Sequence, residues 1–226
     1  IDADTGVLID ERWADRAQPI ASITKLVTAM TALTIMNEDA RVYITSQALA
    51  TEGSTGKFRS DDKYTVRELM YPLLMVSSND AAEAIAITYG RKNFIKAMND
   101  WAESIGAYHT YFRDPSGLSA DNVASAHDVG LIMKWIADNR PEILEITQTR
   151  TKSIRTRTWT NMTHFLNLNT YKGGKNGFTN EAGRTGVSIF ETKVRDGSRK
   201  KFIIVVLNSK NRDSDVLTLL QRAATE

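Results

Sequence analysis

Pro19-Ile20-Ala21-Ser22-Ile23-Thr24-Lys25-Leu26-Val27 is the stretch on which the reading of this chain turns. The proline breaks the segment before it. From Ala21 to Met36, apolar residues then recur at Ile23, Leu26, Val27, Met30, Leu33 and Ile35, the spacing of a helix with most of its stripe on one face. Ser22 stands at the start of that helix and Lys25 one turn on, so the i, i+3 spacing brings both to the same side. The bland reading is a helix cap beside a solvated cation. The chemical reading is a nucleophile beside its base, because a lysine can take a serine's proton once burial or a second cation lowers its pKa.

Working outward, a turn at Asp2-Ala3-Asp4-Thr5-Gly6 leads into a short strand at Gly6-Val7-Leu8-Ile9. Residues 38–63 are polar and weakly periodic, as expected for loops and short strands. Thr65 and Glu68 have the spacing of a capping box that opens a helix. Helices are expected over 80–89 and 92–105, each stopped by a glycine (Gly90, Gly106), and again over 126–137 and 141–147, with Pro141 at a first helical position. Beyond Thr149 the pattern changes to strands: 150–160, 177–179, 187–192 and 202–207, with Asp196-Gly197 as a hairpin turn. Residues 214–224 close with an amphipathic helix. Helices in the middle and strands at both ends predict an α+β fold. The N- and C-terminal segments would form its antiparallel sheet, and a helical subdomain, roughly 38–148, would be inserted in a single domain spanning 1–226.

Composition narrows the function. The 226 residues carry 29 basic and 27 acidic side chains, a net +2, with 42% hydrophobic residues, the make-up of an ordinary globular domain. The one dense basic cluster, Arg199-Lys200-Lys201, has acids close by, so no nucleic-acid partner is expected. No apolar run approaches the roughly 18 residues of a transmembrane helix. There is no cysteine, which excludes disulfides, thiol catalysis and cysteine-ligated metals. His109, His127 and His164 lack ligand spacing and read as loop or surface histidines, and neither metal nor cofactor is expected. Ile1 opens inside what reads as a strand, as after a processed or trimmed segment.

A lone Ser-x-x-Lys proves little, and this chain has four: Ser22/Lys25, Ser54/Lys57, Ser60/Lys63 and Ser198/Lys201. Only the first opens a long periodic helix. Gly53-Ser54-Thr55-Gly56-Lys57 is no phosphate loop, because its glycines are too close and Phe58 stands where a hydroxyl must reach magnesium. No G-x-S-x-G elbow is present. Downstream of Ser22, in the order such chemistry needs, stand Ser77-Ser78-Asn79 and Lys175-Asn176-Gly177. They match the Ser-x-x-Lys, Ser-x-Asn, Lys-Thr-Gly set of penicillin-binding proteins and serine β-lactamases, with one alteration.

With these elements the chain resembles the low-molecular-mass penicillin-binding proteins, serine D-Ala-D-Ala carboxypeptidases and D,D-endopeptidases, from Asp2 to about Leu220. Val76 to Ala82, Asp114-Pro115-Ser116-Gly117-Leu118, Ser125 to Asp128 and Gly177 to Gly183 add to the likeness. The resemblance implies a β-lactamase/transpeptidase-like fold and an acyl-Ser22 intermediate. Lys25 would be the general base, Ser77 a proton relay, and Asn79 a hydrogen-bond partner of Lys25 and of the substrate. Lys175 would give electrostatic support. The oxyanion would be held by the backbone N–H groups of Ser22 and Phe178, and the substrate would lie along Asn176, Gly177, Phe178 and Thr179. It further implies peptidoglycan stem peptides as substrate, β-lactam antibiotics as inhibitors, and a periplasmic or otherwise extracytoplasmic location.

Asn176 stands where the family has threonine, whose hydroxyl helps hold the substrate carboxylate. A misplaced charge-assisted hydrogen bond costs about 1.5–3 kcal/mol, so reduced or re-tuned activity is expected. The alternative is a non-catalytic peptidoglycan-binding relative. A β-lactamase needs a deacylating glutamate, and Glu142-Ile143-Leu144-Glu145 is the nearest match to its loop. Lys210 and Arg212 are further candidates for the carboxylate. Asp114 to Leu118 reads as a structural turn at the cleft floor, Trp101 and Trp135 as core, and Trp159 with Phe178 as groove-lining aromatics. The end of the chain soon after its closing helix and the short Ser22-to-Ser77 spacing favour the endopeptidase type.

Overall fold

The computed structural model describes residues 1–225. β1 (Gln18–Pro19) passes through a 3₁₀ turn, Ala21–Ile23, into α1 (Thr24–Ile35). The polar stretch holds β2 (Arg41–Tyr43), α2 (Ser46–Leu49) and β3 (Lys63–Thr65), with β2 antiparallel to β3. Three helices follow: α3 (Val66–Met75), α4 (Asn79–Tyr89) and α5 (Arg91–Ser104). β4 (Val123–Ala124) returns to pair with β1, and α6 (Ala126–Asn139) and α7 (Pro141–Gln148) come next. β5 (Thr151–Ile154) and β6 (Arg157–Thr160) form a hairpin. β7 (Tyr171–Thr179), β8 (Gly183–Lys193) and β9 (Arg199–Ser209) make a three-stranded antiparallel sheet, and α8 (Arg212–Thr225) closes the chain.

Local chemistry starts and stops these elements where side chains meet backbone. The capping box at α3 is complete: Glu68 N donates to Thr65 Oγ1 at 3.1 Å and Thr65 N to Glu68 Oε2 at 2.8 Å. Ser78 and Ser125 cap α4 and α6 with their hydroxyls alone, which accept from Ala81 N and Asp128 N at 3.0 Å. Gly90, at φ +101°, ends α4, a conformation that a side chain would resist.

α1 is the axis of the molecule. Every residue from Thr24 to Leu33 is buried, so it packs on all sides rather than along one stripe. Threonines and alanines at 28, 29, 31 and 32 allow this, because they read as neutral in a hydrophobic pattern yet are small enough to bury. Val187, Ile189 and Ile203 turn one face of the sheet toward this helical core. Tyr171, Phe190, Phe202, Ile204 and Val206 form the other face, which α8 covers with Val216 and Ala223. Both faces of β8 are therefore covered, and Thr185 to Phe190 are all buried.

Two strand expectations need correction. Gly6–Ile9 forms no strand. The Asp2 carboxylate accepts from Asp4 N and Thr5 N and bends the chain into a turn, leaving Val7 60% and Leu8 41% exposed. The N-terminal contribution to the sheet is instead Ile1–Ala3, which hydrogen-bonds along β9 at Lys201 and Ile203. The strand expected at 177–179 begins at Tyr171. Gly173 and Gly174 erase the alternation there, and the register shifts between Tyr171 and Gly174.

Candidate active site

The site forms where the start of α1, the start of α4 and the edge strand β7 converge. Ser22 lies in the 3₁₀ turn and Lys25 in the first turn of α1, with Lys25 Nζ 3.0 Å from Ser22 Oγ. Lys25 is wholly buried, and its amine also donates to the Ser116 carbonyl at 2.5 Å. Burial first, and the Lys175 charge second, hold its pKa well below the ordinary lysine value, while Asp114 and Asp80 oppose that shift. A buried amine with a lowered pKa is a base available to the hydroxyl beside it.

Ser77 sits between α3 and α4 at φ +59°, and Ala21, before Ser22, at φ +48°. Left-handed backbone at non-glycine residues is uncommon and collects at functional sites. Lys175 Nζ donates to Ser77 Oγ at 2.9 Å and to the Asn176 carbonyl at 2.8 Å. Burial and the nearby Arg212 push the Lys175 pKa down to about 7.

Gly177 lets β7 approach Ser22. A Cβ there would stand 2.7 Å from both Ser22 N and Thr185 Oγ1 and 3.0 Å from Ala21 Cβ. Thr185 Oγ1 in turn donates to the Ile20 carbonyl at 3.0 Å, tying β8 to the entry of the 3₁₀ turn. The Ser22 amide therefore faces the backbone of the β7 edge.

Asn79 opens α4. Its amide donates to the Glu52 carbonyl at 2.6 Å, and its backbone N–H to Ser54 at 2.7 Å. Lys25 takes Ser116 rather than Asn79 as its second partner. The Gly53-to-Gly56 segment thus lies against the site, fastened by Gly56 N donating to the buried Asp80 carboxylate at 2.9 and 3.1 Å. Among the expected substrate-side residues, Asn176 is half-buried and Phe178 is 60% exposed. Thr179 Oγ1 accepts from Ala182 N at 3.1 Å, holding the β7–β8 turn. Asn176 pairs with Gly186 across the ladder. A Cβ on Gly186 would lie 2.7 Å from Arg212 Cδ and 3.2 Å from Asn176 Oδ1, so asparagine and arginine share one face of the sheet.

Other expectations separate here. Trp159 lines no groove: it is 3% exposed, packs edge-on against Phe58 and Tyr64, and donates through Nε1 to the Gly56 carbonyl at 2.9 Å. Trp101 and Trp135 form a T-shaped pair, half-buried against the core. Lys210 is exposed on a groove of about 950 Å³ between residues 8–14, β9 and α8, which none of the five expected catalytic residues lines. Glu142 pairs with Arg140 at 3.3 Å, and Glu145 lines a small cleft with Glu38 and Arg67. Among the described residues, neither glutamate hydrogen-bonds to Ser22 or Lys25. Sequence reasoning missed Asp80, Glu52 and the Ser116 carbonyl. Two of these act through backbone carbonyls, which no residue type announces.

The Ser22–Lys25 pair at the entry to α1, the Ser77–Lys175 pair and the glycine-lined edge of β7 lie in a fold of the penicillin-binding class. A family model described as D-alanyl-D-alanine carboxypeptidase matches residues 1–211, and the chain belongs to that peptidase family. It is 33% identical over 195 residues to a D-alanyl-D-alanine endopeptidase of Pseudomonas aeruginosa, covering 80% of this chain and 62% of the relative. To that of Escherichia coli it is 36% identical over 200 residues, covering 81% and 63%. It thus spans less than two thirds of the length of these relatives. Among solved structures, a Streptomyces DD-transpeptidase superposes with a TM-score of 0.88 at 27% identity, covering 98% of this chain and 93% of that one. A D-alanyl-D-alanine carboxypeptidase from Francisella tularensis gives 0.89 at 25% identity, covering all of this chain and 69% of that one.

Proposed function

We propose that this chain is a serine D,D-peptidase that cleaves the D-alanyl bond of peptidoglycan stem peptides through an acyl-Ser22 intermediate, and that β-lactams acylate the same serine. The observation that carries this reading is the 3.0 Å approach of Ser22 Oγ to a wholly buried, pKa-lowered Lys25. Lys25 takes the Ser22 proton as Oγ attacks the D-Ala carbonyl. The oxyanion is received by the Ser22 and Phe178 amides at the β7 edge. Ser77, held by Lys175, passes a proton to the departing amine and regains one from Lys25, which returns to its neutral form, and Asn79 orients the substrate backbone. Water then enters and Lys25 serves as base again, releasing the acyl group and restoring Ser22.

Asn176 and Arg212, side by side on the sheet, would receive the carboxylate beyond the scissile bond. An asparagine amide donates one neutral hydrogen bond there, and the guanidinium supplies the charge a threonine site also lacks. The reaction would take place outside the cytoplasmic membrane, where peptidoglycan is found. No helix among the described residues is long and apolar enough to cross a membrane.

The relatives named above as endopeptidases favour cleavage of the cross-link, in which the leaving amine belongs to a D-centre of a second stem peptide. Incubation with purified cross-linked muropeptide dimers and with pentapeptide monomers, read by chromatography and mass, tests this. Faster conversion of dimer to monomer is the expected result. Release of free D-Ala alone would assign the carboxypeptidase reaction, and neither product would sink the peptidase reading.

A further inference from the structure

The turn Asp114-Pro115-Ser116-Gly117 is more than a floor to the cleft. Asp114 is 7% exposed and gathers most of the turn's donors. Its Oδ1 accepts from Ser116 N, Ser116 Oγ and Gly117 N, each at 2.7 Å, and its Oδ2 from Ser119 N at 2.8 Å. Burial pushes this carboxyl up, but the Ser116, Ser119 and Gly117 donors outweigh burial and hold it below the usual range, so it stays ionised.

The organised turn is then clamped to α1. Thr28 Oγ1 donates to the Pro115 carbonyl at 2.6 Å, and Asn122 Nδ2 bonds both the Asp114 carbonyl and Thr24 Oγ1. Gly117, at φ +84°, lies so close to the Ala21 carbonyl that a Cβ would overlap it. The result is one backbone carbonyl, that of Ser116, set 2.5 Å from Lys25 Nζ.

A neutral lysine amine has two N–H bonds and one lone pair. Rotation about Cε–Nζ decides where that lone pair points. An acceptor that takes one N–H removes this freedom and leaves the lone pair for Ser22. On the D,D-peptidase reading, we propose that Asp114 is a positioning residue for the general base, acting through the Ser116 carbonyl that fixes the Lys25 amine against Ser22.

Its charge acts in parallel. The charged groups that bear on Lys25 are Lys175 from β7, Asp80 from α4 and Asp114 from this turn. The two carboxylates favour the protonated amine and Lys175 the neutral one. Removing the charge of Asp114 therefore lowers the lysine pKa further, and the base becomes available at lower pH.

The test is the pH dependence of the acylation rate of the intact protein by benzylpenicillin, followed by mass, for wild type, Asp114→Asn and Thr28→Val. In Asp114→Asn an amide N–H₂ faces the Ser119 N–H donor. The plateau rate should fall about tenfold or more, the effect of one misplaced hydrogen bond, and the ascending limb should move to lower pH. Thr28→Val loosens the same turn without changing charge, so its plateau should fall while its limb stays in place. A purely structural Asp114 would lower the melting temperature and leave the limb unmoved, which overturns the proposal, as does a wild-type plateau in either variant. Should Asp114→Asn fail to fold by near-ultraviolet circular dichroism, the Thr28→Val plateau alone decides in the same way. Absence of an adduct in the wild type would instead remove the D,D-peptidase reading beneath it.

Discussion

Lys175 and Arg212 stand close enough for the guanidinium to help push the lysine pKa down to about 7. On the D,D-peptidase reading, Lys175 would support Ser77 and an anionic substrate while charged, below that value, and would lose that role above it. Lys25 would have the opposite requirement, since a general base must be neutral. The rate kcat/KM should therefore rise as Lys25 loses its proton and fall as pH passes about 7 through the Lys175 titration. Replacing Arg212 by glutamine removes a positive neighbour and raises the Lys175 pKa. The descending limb should then move to higher pH, while kcat/KM for carboxylate-bearing peptides falls about tenfold or more for the lost charge-assisted bond. A limb that stays in place in Arg212→Gln would break the link between the two cations. Asn176→Thr is expected to raise turnover about tenfold. Lower turnover would show that this site is built around the amide.

At the scale of elements, the site depends on close backbone approach. Gly177→Ala puts a methyl 2.7 Å from the Ser22 amide, so β7 must draw back from Ser22. Acylation should fall by at least 100-fold, on the order of the loss of one oxyanion donor, with the melting temperature lowered only slightly. Retained acylation would mean that the β7 edge contributes little. By contrast, Thr65→Ala removes the cap of α3 and should cost about 1 kcal/mol of stability without changing the acylation rate per folded molecule. The order of helices, the cap at Thr65 and the Ser22/Lys25 pair are legible in the sequence, because each is a local pattern of side chains, whereas Ser77 and Lys175 lie far apart and meet only in the fold. The N-terminal strand is not legible, since the Asp2 turn redirects a segment whose apolar residues alternate poorly. Trp159 was misread because nothing local shows that the β5–β6 hairpin folds back onto Phe58 and Tyr64. Asp114 stands in a recognisable turn, but the Ser116 carbonyl beside Lys25 carries no signature in sequence.

Across the whole molecule, α1 runs through the core with Lys25 in its first turn and Ser22 in the 3₁₀ turn before it, the sheet edge lies on one side, and the Asp80 and Asp114 carboxylates bear on Lys25. Two buried lysines make this arrangement costly at neutral pH. Their folded pKa values lie below the unfolded value, so between about 7 and the ordinary lysine value the unfolded chain binds more protons than the folded one. Stability should accordingly rise with pH from about 7 to 9 in thermal melts and decline as pH falls toward the Lys175 value. Lys175→Met removes one of these groups and should flatten that rise; an unchanged slope would show that Lys175 is not protonated differently in the two states. On the proposed reading, Ser22 is the acylated nucleophile. Intact mass after incubation with benzylpenicillin, for wild type and Ser22→Ala, tests it most directly. A penicilloyl adduct that persists on the wild type and is absent from Ser22→Ala is the predicted result. An adduct on both proteins, or on neither, would contradict the account.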